Sequence, residues 1–223
     1  SVLITKLRLF LSLLYKFGPR KISNLANILN NNFTSYDYIT EKLESKQFDI
    51  ILGNPPYVED SKSGLDLTEK YGNIYANVLE NAAKQLKPDG VMGFIVPLSY
   101  VSTPRMKKIR NRLYELVPEQ HILSYADRPD CLFVSVHQKL NILIAKKSSE
   151  KVIYTGNYTY WYKKEREKLF KDVHLCVNNF IEDGFIPKLG TLNDSIIFGK
   201  IISQDQSLFE ISTNGEHSVY LNM

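Results

Sequence analysis

The amino-acid sequence predicts an α/β protein built on a doubly wound sheet that is incomplete. Three observations predict it. Short apolar runs bounded by turn residues alternate with helical periodicity from residue 48 to residue 126. One of those runs ends on a glycine and passes directly into a proline-rich loop, as a buried parallel strand does at its carboxyl end. Beyond Lys147 the apolar rhythm is interrupted by Ser148-Ser149-Glu150-Lys151, and a stretch rich in Tyr and charge follows, which marks the start of a second region.

Residues 2–16 are rich in Leu and Ile and predict a helix stopped by Gly18-Pro19. The apolar run at 9–15 sits behind Lys6 and Arg8 as a leader segment would. No small-residue cleavage site follows it, and it is far below membrane-spanning length, so a buried helix is expected. Ser1 stands inside this helical pattern with no capping residue before it, which reads as a chain cut from something longer. Residues 25–29 read as a short strand, Asn30-Asn31-Asn32 as a turn, and residues 36–43 as a short helix.

Phe48-Asp49-Ile50-Ile51-Leu52-Gly53 is the buried strand, and residues 58–70, polar and containing Gly64, form a loop. Ile74, Val78, Leu79, Ala82, Ala83 and Leu86 then follow helical spacing, until Lys87-Pro88-Asp89-Gly90 stops the helix and turns the chain. Residues 91–96 form the next strand. Thr103 and Pro104 supply an N-cap and first turn for a helix whose buried stripe is Met106, Ile109, Leu113 and Leu116. Residues 121–126 and 138–145 give two further strands, an antiparallel pair around the loop at 127–133. Residues 152–162 read as an aromatic strand and 191–202 as a helix.

Composition narrows the function classes. A chain of 223 residues with 43% hydrophobic and 23% charged residues can bury a sizeable core, which argues against disorder. A net charge of +4 permits a polyanionic partner without demanding one. Cys131 and Cys176 form no CxxC pair, and His121, His137, His174 and His217 are scattered. No metal site and no disulfide framework are expected, which fits two reduced cysteines in a cytoplasmic protein.

The chemistry is carried by Asn54-Pro55-Pro56-Tyr57, placed at the carboxyl end of the first buried strand. A given tetrapeptide arises by chance in roughly one chain in a thousand of this length, so its position there is informative. An exocyclic amino nitrogen on an aromatic base is a poor nucleophile because its lone pair is delocalised into the ring. Two acceptors on its N–H bonds push it toward tetrahedral geometry and stabilise the positive charge that develops on attack. The Asn54 side-chain oxygen and the Pro55 carbonyl are suited to this. The consecutive prolines stiffen the loop in advance, and Tyr57 offers an aromatic face for a base taken out of the stack. The alternative is a proline-rich loop that merely ends a strand, with Tyr57 packing against it.

The run from Phe48 to Tyr57 resembles the catalytic motif of adenine-specific DNA methyltransferases of the gamma arrangement, which include the methylase parts of type II restriction-modification enzymes. The likeness continues through Tyr71-Gly72-Asn73-Ile74-Tyr75, Leu86-Lys87-Pro88-Asp89-Gly90 and Gly93-Phe94-Ile95-Val96-Pro97. It extends to Leu132-Phe133 before the strand at 140–145. The resemblance implies an incomplete, doubly wound, Rossmann-like methyltransferase sheet. Residues 1–147 would be the C-terminal part of the catalytic domain, and residues 148–223 the start of a target-recognition region. It implies methyl transfer from S-adenosylmethionine to adenine in double-stranded DNA within a restriction-modification system. Catalysis would rest on Asn54, Pro55, Pro56 and Tyr57, and Phe133 would be the second base-stacking residue. For Phe133 a packing role beside the strand is the alternative.

The pattern departs from the family in one respect. The glycine-rich turn that binds the cofactor does not occur, since the chain contains no GxG; Gly90 and Gly93 come nearest and read as turn and strand positions. Asn31 and Asn32 sit where a polar residue would meet the cofactor's adenine ring, so Asn32 is the candidate, and turn asparagines explain both equally well. The fragment alone is therefore expected to be inactive. The family's first two strands would lie between the strand near residue 27 and the strand at 48–53. Their omission leaves a sheet edge open, and self-association or a displaced N-terminal helix is expected.

Arg105, Lys107, Lys108, Arg110 and Arg112 crowd one helix, so Arg105, Lys108 and Arg112 are candidates for phosphate contact against the plainer reading of a solvated face. The run at 163–168 alternates in sign and reads as solvated surface. Two other functions remain open. Release-factor methyltransferases, which methylate a glutamine amide, carry the same tetrapeptide, and a DNA-binding or assembly fragment without catalysis would also fit.

Overall fold

The computed structural model describes residues 2–18, 22–33, 35, 37–41, 46–133, 136–171, 173 and 175–178; the helix expected at 191–202 lies outside them. The chain divides into two compact units, Ser1–Glu41 and Lys42–Met223. Among the described residues no helix is long and apolar enough to cross a membrane.

In the first unit, α1 (Val2–Phe17) packs on α2 (Ile22–Asn32). Gly18, at φ 75°, ends α1 by donating its N–H to Leu14 O at 2.8 Å, a left-handed cap that costs a glycine nothing. Three expectations are corrected here. α1 is a helix but none of its residues is buried, because its leucines and isoleucines are spread around the helix while α2 offers one narrow face. Residues 25–29 and Asn30-Asn31-Asn32 are helical, not strand and turn. Leu25 and Leu29 lie one turn apart as the buried pair, and the Asn32 amide donates to Ile28 O at 2.8 Å. Residues 38–40 form a turn where a helix was expected: Asp37 Oδ1 accepts the N–H groups of Ile39 (2.8 Å) and Thr40 (3.1 Å), which competes with helix continuation.

The second unit is a six-stranded sheet of order β1-β2-β4-β3-β5-β6. Its strands are β1 (Phe48–Gly53), β2 (Leu86–Pro97), β3 (Glu119–Tyr125), β4 (Leu140–Lys146), β5 (Val152–Thr159) and β6 (Leu175–Asn178). β1 and β2 are parallel, β4 runs antiparallel between β2 and β3, β5 is parallel to β3, and β6 is antiparallel to β5. The sheet is thus α/β and incompletely wound: β1 to β2 and β2 to β3 cross over through helices, and both crossovers lie on one face. The turn at 147–151 does not end the sheet, since β5 joins it directly beside β3.

The helices α3 (Tyr75–Lys84) and α5 (Lys107–Leu116) pack on each other and share one core with the sheet, built from Tyr75, Leu79, Met92, Ile109, Leu113 and Leu143. The turn expected at residues 87–90 is present as an excursion inside β2. Phe48 pairs with Leu86 but Ile50 pairs with Val91, and Asp89 takes φ 60°. Thr103 is not a side-chain cap: its hydroxyl donates to Ser99 O at 2.7 Å, closing the short α4 (Ser99–Ser102) instead.

The expected burial of β1 is also corrected. It is an edge strand, with Ile50 66% and Leu52 76% exposed, while Ile51 packs against the core. α3 and α5 cover the face that carries Ile51 and Met92. Ile50, Leu52 and Ile144 project from the other face and remain exposed.

Glu80 ties the two covering helices together. Only 6% exposed, it accepts Tyr71 Oη at 2.7 Å, Lys84 Nζ at 2.9 Å and Arg112 Nε at 3.1 Å. Burial pushes its carboxyl up, but the hydrogen bonds from Lys84, Tyr71 and Arg112 outweigh this and hold it below the ordinary glutamate range. A carboxyl depressed in the folded state stabilises above its unfolded pKa of about 4.3 and loses that contribution as pH falls through the folded value. Glu80→Ala is expected to cost about 2 kcal/mol at pH 7 in chemical denaturation. The gap to wild type is expected to close as pH falls below about 4. A gap that stays constant with pH would remove the charge from the explanation.

Candidate active site

The 54–57 segment leaves the sheet where β1 ends. Gly53 pairs with Phe94, and a Cβ at position 53 would lie 2.6 Å from Phe94 Cε1, so the strand ends on the one residue that admits the ring. Pro55 is buried, Asn54 and Pro56 are exposed, and Tyr57 is half-buried. Neither proline has an N–H to continue the ladder. Ile95, one residue beyond the last β1–β2 pair, has its carbonyl satisfied by the Tyr57 hydroxyl at 2.9 Å. The same hydroxyl lies 2.8 Å from Asn54 Oδ1, so its single proton is shared between the two acceptors. A side chain thus replaces the missing backbone donor and, in doing so, orients the Asn54 amide.

The Tyr57 ring is held edge-on against Tyr75, with centroids 6.3 Å apart and planes at 86°. Tyr75 is fully buried, and its hydroxyl meets Ser99 Oγ at 3.1 Å. Burial pushes both the Tyr57 and the Tyr75 hydroxyls up to about 12, so both remain neutral donors near neutral pH. The loop that follows is tied down at both ends. Ile74 N donates to Val58 O at 2.9 Å. Asp60 Oδ2 accepts Gly72 N at 2.6 Å, where Gly72 adopts φ 94°.

Phe133 is half-buried in the loop between β3 and β4, bridged to Val136. Its carbonyl accepts Cys131 Sγ at 2.9 Å and Val136 N at 3.1 Å. The strand registers place this loop and the 54–57 segment at one end of the sheet. Gly53 lies beside Phe94, and Pro97 and Tyr125 both pair with Leu140. β1 and β3 are three strand spacings apart in the sheet order, about 14 Å. Tyr57 and Phe133 thus both follow strands that finish at this end of the sheet.

The other candidates make contacts of their own. Lys108 pairs with Glu69 and lies 5.5 Å from the Tyr71 ring centroid, and Arg112 pairs with Glu80 (3.1 Å) and Glu115 (3.0 Å). Arg105 packs its Cδ beside Gly72. Arg110, grouped with them by sequence, is buried and donates to Tyr100 O (2.7 Å) and Thr103 O (3.0 Å), so it belongs to the core and not to a solvated face. Asn32 belongs to the first unit, with its amide engaged by its own helix. The positioning roles of Tyr75, Ser99 and the Ile95 carbonyl were not singled out by sequence reasoning. Tyr75 closes the Tyr71–Tyr75 stretch that carries the family likeness, but nothing local in the sequence shows that its ring meets Tyr57.

Residues 1–132 match a family model described as Eco57I restriction-modification methylase. Modification methylase CviBIII of Paramecium bursaria Chlorella virus NC1A is 28% identical over 154 residues, which cover 64% of this chain and 38% of that protein. The type II restriction enzyme and methyltransferase RM.Eco57I of Escherichia coli is 33% identical over 87 residues, 33% of this chain and 9% of that one. The matched segments thus span well under half the length of either relative. Among solved structures, a nuclease-deletion mutant of the type ISP restriction-modification enzyme LlaGI in complex with a DNA substrate mimic superposes with a TM-score of 0.51 at 14% identity. The match covers 74% of this chain and 20% of that one; at such identity the likeness concerns the fold alone.

Proposed function

This chain belongs to the Eco57I restriction-modification methylase family, and we propose that it carries the base-holding half of an enzyme that methylates the exocyclic amino nitrogen of adenine in double-stranded DNA. The observation that carries the reading is the exposed Asn54 amide at the carboxyl end of a parallel strand, its oxygen oriented by Tyr57. Asn54 Oδ1 and the Pro55 carbonyl would accept the two amino hydrogens, which turns the nitrogen lone pair out of the ring plane and stabilises positive charge on that nitrogen. Tyr57 and Phe133 hold the flipped base by its faces. Arg105 is the candidate for a phosphate contact. Lys108 and Arg112 would first have to exchange their carboxylate partners for phosphate.

S-adenosylmethionine would supply an electrophilic methyl group. The glycine-rich turn expected of its cradle does not occur in the sequence, and Asn32 gives one amide N–H to Ile28 O. The chain by itself is expected to be inactive. The direct test is transfer of labelled methyl groups to duplex DNA by the intact enzyme, with nucleosides separated after digestion. Label in N6-methyladenine is expected. Label on cytosine, or on a release-factor glutamine and not on DNA, would overturn the reading.

Among the described residues β1 has one unpaired edge, and Ile50 and Leu52 on its uncovered face are exposed, which leads to a further expectation for the isolated chain. Unpaired strand edges with apolar flanks associate, so light scattering is expected to show species larger than a monomer. A monomer at high concentration would contradict this.

A further inference from the structure

We propose that Arg166 positions the loop bearing Phe133, so that the segment following β5 and the base-holding site act as one mechanical unit. This rests on the reading of Phe133 as a base-facing residue. Sequence reasoning placed Arg166 in a sign-alternating run of plain solvated surface. The structure gives it a specific task. Its guanidinium donates through Nη1 to Cys131 O at 3.3 Å and through Nη2 to Leu132 O, two consecutive carbonyls immediately before Phe133. The same guanidinium lies 5.3 Å from the ring centroid of Trp161, which is 2% exposed.

The elements around it hold this geometry. Ala126 N donates to Thr159 O at 2.9 Å, joining the start of the loop to the end of β5. The turn at Lys163–Glu165 is closed by Tyr162 N donating to Glu165 Oε2 at 2.7 Å, which delivers Arg166 to the loop. Phe170 packs edge-on against Tyr125, the last residue of β3, at 5.8 Å and 70°. Cys131 passes the constraint forward by donating its Sγ–H to Phe133 O at 2.9 Å. A planar fork stacked on an indole can serve two neighbouring carbonyls at once, whereas an ammonium acts as a single point. A contact made to DNA by residues beyond 160 would therefore be felt at residue 133.

The test uses the intact enzyme and two duplexes, one carrying 2-aminopurine at the target base, whose fluorescence rises when the base leaves the stack, and one carrying adenine there, on which kcat is measured. Arg166→Ala is expected to lower the flipped-base signal and kcat by about tenfold to a hundredfold, with the Kd for DNA and the Tm close to wild type. Arg166→Lys is expected not to restore them. Equal loss of DNA affinity, recovery with Lys, or a large fall in Tm would overturn the proposal, since each marks a phosphate contact or a purely structural residue. Phe133→Ala separates the two levels. If it leaves the signal unchanged, the reading of Phe133 fails; if it abolishes the signal while Arg166→Ala does not, only the positioning role fails.

Discussion

Asn54→Ala in the intact enzyme is expected to lower kcat by about 10²–10³-fold with little change in the affinity for DNA. The reasoning is differential. Asn54 Oδ1 sits at the exposed end of β1 and already accepts the Tyr57 hydroxyl, so its orientation is settled before a base arrives. An acceptor prepared in this way contributes most when the amino nitrogen becomes cationic and least in the ground state, which places the loss in kcat and not in binding. Asn54→Asp keeps an acceptor in the same position and can still receive the Tyr57 hydroxyl, so it is expected to retain more activity than Ala. The measurement is single-turnover methylation together with a DNA-binding isotherm for each variant. An Asn54→Ala enzyme with wild-type kcat, or one that loses DNA affinity in proportion to rate, would remove Asn54 from the reaction.

Much of this site was legible because its determinants are local. Phe48 to Gly53 is a short apolar run, glycine ends it, and two prolines forbid the ladder to continue; these facts depend on adjacent residues only. The periodic stripes of α3 and α5, and the antiparallel β3–β4 pair, were legible for the same reason. α2 was misread because Leu25 and Leu29 sit in a short apolar run that suits a strand or a helix turn equally. The asparagines after it are turn formers that here remain helical, with Asn32 bonding back to Ile28.

Other features were not legible because they depend on distant partners. The composition of β1 records two faces suited to burial, while the helices of this unit cover one, so Ile50 and Leu52 are exposed. Arg166 meets Leu132 across 34 residues, and Tyr57 meets Ile95 across 38. A run of alternating charge contains nothing that distinguishes an arginine clamping two carbonyls from its solvated neighbours.

Tyr57 separates into two functions that substitutions can divide. Tyr57→Ala removes the ring, worth about 1–3 kcal/mol in stacking on a base, and also leaves the Ile95 carbonyl without its donor. A loss of kcat/KM of at least about a hundredfold is expected. Tyr57→Phe keeps the ring against Tyr75 and removes only the hydroxyl, so Asn54 loses its orienting bond while stacking survives. Its expected signature is a roughly tenfold fall in kcat with KM for DNA unchanged, and a lower Tm. Burial pushes the Tyr57 hydroxyl up to about 12. A group raised in the folded state stabilises fully below its unfolded pKa, about 10 for tyrosine, and loses that contribution as pH rises through the folded value. The Tm difference between wild type and Tyr57→Phe is therefore expected to be constant up to about pH 10 and to shrink above it. If Tyr57→Phe matches wild type in kcat and Tm, the hydroxyl has no part in preparing Asn54 and only the stacking role remains.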